Sequence, residues 1–179
     1  MKVATDFVAL VSNAKGVKYH SKLHCVGALV FDLISSGAVS LDNKSRLSPN
    51  SFDSSKLSRA ETVIYDAIQK SPGKKLSWLL TKVYVSMRSG ELFQMVRSGE
   101  SSVNIEELRA EILEDDNVTE ESAVILLLLK QSRCLDYYFS KYEQKTVREK
   151  LKSLSSSADY RTFSTISRTI MVLDALTWF

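Results

Sequence analysis

This sequence predicts an all-α fold, a helical bundle around a central apolar helix with one small β-hairpin. Three observations carry the prediction. The run from Ala123 to Leu129 is apolar without interruption, and a helix apolar on every side has to be enclosed. Several other stretches place apolar residues at helical spacing on one side only, the pattern of helices laid against a core. One segment alone, Val39 to Leu47, alternates apolar and polar residues around a turn. A chain of 179 residues with 44% hydrophobic and 25% charged side chains is long and apolar enough for one folded domain spanning residues 1–179.

Taken in order, Thr5 and Asp6 precede Phe7, Val8, Leu10 and Val11, a short helix broken at Asn13-Ala14-Lys15-Gly16. From Leu23 to Ser36 a second helix is almost wholly apolar, and Gly37 suits the left-handed position after its end. Val39 and Leu41, the Asp42-Asn43 turn and Arg46-Leu47 form the hairpin. Ser58-Arg59-Ala60-Glu61 is a capping box, opening a helix that carries Val63, Ile64, Ala67 and Ile68 and stops at Pro72-Gly73. Further helices are expected from Leu76 to Met87, from Glu91 to Arg97 and, with an acidic face, from Ile105 to Leu113. Asp115-Asp116 breaks the chain before Thr119-Glu120-Glu121-Ser122, where a hydroxyl can cap and acids suit the start of the central rod. The rod is expected to run on to about Phe139, followed by a charged helix from Glu143 to Leu154. A serine break at Ser155-Ser156-Ser157 then leads to a last helix through Phe163, Ile166, Ile170 and Leu173, ending in Trp178-Phe179.

The apolar run is far short of the roughly 20 residues that cross a bilayer. Net charge is +3, too small to imply a nucleic-acid partner, but it is unevenly spread. Residues 1–75 hold 11 basic and 6 acidic side chains, whereas residues 101–126 hold 8 acids and only Arg109. Such polarity orients a molecule near an anionic surface, and it is equally the pattern of two solvated faces of opposite sign. Cys25 and Cys134 sit among apolar neighbours and are expected as buried free thiols. Asp6 interrupts the apolar core that a signal peptide needs, so a cytoplasmic chain is expected.

Catalytic and metal chemistry find little support. His20, His24 and Cys25 lie together, but a structural zinc site takes four ligands and the sequence has no further histidine. No nucleophile elbow or phosphate-cradling glycine loop is present. The cluster Glu106, Glu107, Glu111, Glu114, Asp115 and Asp116 reads as a solvated face. A helix before a hairpin is also the outline of a winged helix, with Lys44 and Arg46 on the wing. The preceding helix, however, offers only Asp32, Ser35 and Ser36 to a groove lined by phosphates. A non-catalytic protein without cofactor or nucleic-acid partner is the expectation.

The stretch Gly27-Ala28-Leu29-Val30-Phe31-Asp32-Leu33-Ile34-Ser35-Ser36-Gly37-Ala38-Val39-Ser40-Leu41 resembles the signature of the Golgi phosphoprotein 3 family. The opening Thr5 to Leu10, the Leu92 to Gly99 helix end and Asp116 to Leu129 resemble further family segments. The resemblance spans roughly residues 5–175, with the specific pattern in the first 45, and looks like that of a shortened, bacterial relative. It implies a helical bundle that meets membranes from outside and binds phosphatidylinositol 4-phosphate in a basic pocket. Fixed cationic donors are what a lipid phosphate requires, arginine above all. Where the family's pocket has arginines this chain has Val26 and Val85, Val17 stands near its tryptophan, and Arg88 matches its remaining arginine. With Lys15, the cluster Lys18, His20 and Lys22 lies beside that pocket. The expected headgroup site is therefore Arg88, Lys18, Lys22 and His20, for an anionic phospholipid surface, with a protein partner also possible in such adaptors. The alternative expectation is a soluble helical scaffold or regulatory protein without lipid binding.

Overall fold

A computed structural model describes residues 2–15, 21–99, 101–114, 117–156 and 160–176. The chain is mostly helical with one small antiparallel sheet. Its helices are α1 (Val3–Lys15), α2 (Ser21–Ser35), α3 (Arg59–Gln69), α4 (Leu76–Ser86), α5 (Ser89–Arg97), α6 (Ile105–Leu113) and α7 (Glu120–Gln131). Then come α8 (Leu135–Tyr138), α9 (Lys141–Leu154) and α10 (Arg161–Leu176). The strands are β1 (Val39–Leu41), β2 (Arg46–Pro49) and β3 (Lys74–Lys75), in the order β1-β2-β3. β2 pairs with both neighbours, Ser40 opposite Ser48 and Leu47 opposite Lys74. The third strand was not expected. Two exposed lysines carry no apolar alternation, and the pairing is made by backbone alone.

Local signals set most boundaries. Ser58 accepts from the Glu61 amide while Glu61 accepts from that of Ser58, the expected capping box. Ser140 and Glu143 build a second box that opens α9. Thr119 Oγ1 accepts from the amide of Ser122 at the start of α7, and Glu111 accepts from the Thr119 amide and the Ser122 hydroxyl. At the end of α2, Gly37 takes the left-handed backbone (φ +77°) that ends the helix.

α7 is enclosed as expected, every residue from Ser122 to Leu129 being buried. It is shorter than expected. Arg133 adopts φ +58° and the Cys134 amide bonds back to the carbonyl of Leu129, so the rod ends at Gln131 and α8 is a separate turn. The core also has two central helices. α2, buried from Lys22 to Leu33, packs against α1, α3, α4, α5, α7, α10 and β1, while α7 touches α1, α2, α6, α8, α9 and α10. Gly27 allows the closest approach: a Cβ there lies 2.5 Å from Ile170 Cδ1 and 3.3 Å from Ile166 Cγ2.

One further expectation changes. α1 begins at Val3, so Thr5 and Asp6 lie within it. Asp6 is buried instead and accepts from the Ser101 hydroxyl (2.9 Å) and the Ser102 amide (3.1 Å). His24 is fully buried, its ring 6.4 Å from that of Phe7. Cys25 and Cys134 are buried free thiols, as expected, and burial pushes the Cys25 thiol far above its usual range. The Asp115-Asp116 break, Ser157 and Trp178-Phe179 lie outside the described residues.

Candidate functional site at the start of the second helix

Several helices share one end of the bundle. α1 is held antiparallel to α2, because Asp32 near the end of α2 accepts from the Val3 amide (2.9 Å) and the Ala4 amide (3.0 Å). α4 starts beside the hairpin, where the Leu76 amide bonds to the Ser45 carbonyl, and finishes at Lys22. α10 also starts at the hairpin, where Arg161 donates to Asn43, and passes Gly27 at Ile166 and Ile170. The start of α2 therefore meets the C-terminal ends of α1, α4 and α10.

An open groove of about 570 Å³ lies at this end, lined by Lys22, Tyr84, Val85, Met87, Arg88 and Ser89. Two of the four expected headgroup residues, Lys22 and Arg88, thus share one depression although they are far apart in sequence. Lys18 and His20 lie outside the described residues. The two cations differ in kind. Lys22 is 2% exposed, and its ammonium donates to the carbonyls of Tyr84 and Met87 and stands 4.7 Å from the centre of the Tyr84 ring. A cation there completes the last turn of α4 and suits its dipole. Lys22 is therefore a fixed positive charge in the wall and not a mobile arm. Arg88 is exposed at the groove's edge and occupies the position just before α5.

The start of α5 adds what the sequence did not disclose. No side chain caps it, the Ser89 hydroxyl is buried without a hydrogen-bond partner, and the space beside Gly90 is open. Free amides at a helix start attract anions. The only sequence signal for this was Arg88-Ser89-Gly90-Glu91, where a helix start two residues earlier than expected puts Ser89 in the first turn. The groove also carries an exposed apolar group, Val85, which is 79% exposed. Among the described residues, no helix is long and apolar enough to cross a membrane.

A second polar cluster sits at the opposite end of α2. Lys2 donates to both carboxylate oxygens of Glu61 at 2.6 Å, and Asp32 stands nearby in a cavity of about 200 Å³. Burial pushes the Asp32 carboxyl up to about 7, against the downward pull of its amide bonds to Ala4 and Val3. Glu61 and Asp32 each already serve a helix start, and Lys2 is held by Glu61. Among the described residues, no three His, Cys, Asp or Glu side chains gather as metal ligands would.

No family model, curated protein or solved structure matches this chain.

Proposed function

We propose that this chain is a non-catalytic peripheral membrane protein that takes anionic phospholipid headgroups in the groove between α2 and α5. The observation that carries the reading is the junction of Arg88, the fixed charge of Lys22 and the uncapped start of α5 in one open depression. A phosphate set there receives a guanidinium and free helix amides together. Exposed Val85 gives the groove an apolar contact for the interfacial layer. The resemblance to the Golgi phosphoprotein 3 family points the same way, with phosphatidylinositol 4-phosphate as the family's headgroup.

Co-sedimentation with vesicles tests the proposal. The protein is expected to pellet with phosphatidylcholine vesicles containing phosphatidylserine or phosphatidylinositol 4-phosphate, and to stay in solution with phosphatidylcholine alone. Arg88→Glu removes one favourable charge and adds an unfavourable one, each worth about 1 kcal/mol near an anionic surface, so pelleting drops steeply. A wild-type protein that pellets with none of these vesicles overturns the reading. That outcome favours a soluble helical scaffold, which the valines at positions 26 and 85 and the engagement of Lys22 with backbone carbonyls also support.

A further inference from the structure

A second cleft, of about 280 Å³, opens between α7, α9 and α10. Its floor is apolar, made by Leu127, Leu151, Phe163 and Met171. Leu127 keeps 6% of its surface exposed while the other apolar residues of the rod from Ala123 to Leu129 keep none. At the rim stand Lys130 and Lys152, both exposed, and no described carboxylate pairs with either. The side-chain oxygen of Gln131 is buried there without a hydrogen-bond partner, while its nitrogen donates to the carbonyl of Ser167 (3.3 Å). Lys130 also borders a neighbouring polar depression with Arg133, Asp136 and Arg148, so the positive rim continues past the mouth.

We infer that this cleft binds a single-chain anionic amphiphile, a fatty acid, with its hydrocarbon on the Leu127 floor and its carboxylate between Lys130 and Lys152. Charge decides the head group, because two ammonium groups at the mouth of an apolar cleft complement a carboxylate joined to an alkyl chain. Volume sets the tail. An apolar cavity of about 150 Å³ accommodates benzene, and this cleft has nearly twice that volume, enough for a medium-length chain. The site is distinct from the groove at Lys22 and Arg88 and does not depend on it.

Calorimetric titration and thermal unfolding with decanoate, kept below its micelle concentration, test the inference. Decanoate is expected to bind and to raise the melting temperature. Decanol, which lacks the charge, and butyrate, which lacks the tail, are expected to bind far more weakly. Lys130→Ser/Lys152→Ser alters exposed side chains only, so the unliganded melting temperature should hold while decanoate affinity falls roughly tenfold. Ser167→Leu narrows the cleft and should weaken decanoate without reversing the preference for it over decanol. Arg88→Ala should leave decanoate affinity unchanged, which separates this site from headgroup binding. The inference is overturned by absence of decanoate binding, by decanol binding as tightly, by full affinity in the double lysine variant, or by loss of affinity in Arg88→Ala.

Discussion

The two helices at the middle of this molecule are built on opposite plans. α7 buries Ser122 and then nothing but hydrocarbon from Ala123 to Leu129. α2 is buried over a longer stretch, from Lys22 to Leu33, yet encloses Lys22, His24 and Asp32 among its apolar residues. The polar side chains at the two ends of α2 finish other helices. Lys22 supplies a cation to the C-terminal carbonyls of α4, and Asp32 supplies its two carboxyl oxygens to the N-terminal amides of α1. The charge of Lys22 has the sign that the dipole of α4 favours at its C-terminal end. α7 thus holds the bundle together by packing, whereas α2 also sets where its neighbours begin and end. The groove at Lys22 and Arg88 is a by-product of that second task, because the residue that closes α4 forms one wall of it.

Replacing a leucine of α7 should sharpen this contrast most. Leu128 has no exposed surface, so Leu128→Ala leaves a cavity and is expected to lower the unfolding free energy by about 2–5 kcal/mol in urea titrations. Lys22→Met in α2 keeps much of the volume and removes the donors to two carbonyls, for an expected loss of about 1–3 kcal/mol. Its particular signature is faster amide exchange in the last turn of α4. An unchanged exchange rate there would break the view of Lys22 as a helix-closing group.

The smallest effect concerns pH. The folded-state value for Asp32 is about 7, raised chiefly by burial, against 3.8 for an ordinary aspartate. The folded chain therefore keeps a proton that the unfolded chain releases. The contribution of this group to stability is greatest below the unfolded value, declines as pH rises from about 4 to 7, and is level above that. Glu61 and Glu143 are held below the usual carboxylate range by their hydrogen bonds, with the opposite dependence. Asp32→Asn isolates the first effect: losing one of two amide bonds costs about 1 kcal/mol at pH 5, and the deficit against wild type should shrink at pH 8. A deficit that grows at pH 8 would show that ionised Asp32 is the better cap and that its burial matters less than its charge.

Much of the architecture was legible in order along the chain. The Ser58 box, the glycine stop at Gly37, the acidic start of α7 and the enclosure of Leu126 all follow from neighbours within a few residues. The end of the rod did not, because Arg133 in a left-handed backbone carries no local signal of the kind glycine gives. Asp6 was misread as a helix-start residue for a similar reason: its partners, Ser101 and Ser102, lie some 95 residues away. Of the candidate site, Lys22 and Arg88 could be named from the sequence, but not their different states. The uncapped start of α5 was invisible until the helix boundary moved to Ser89.

The sequence by itself determined that this chain folds as helices around an apolar interior, since periodicity and capping act over one or two turns and are written in adjacent residues. Only the tertiary structure decided that a lysine in an apolar helix is spent on the end of α4 while Arg88 stays exposed. That outcome depends on which helix end arrives beside α2, a matter of packing between segments some 60 residues apart, and no local pattern encodes it.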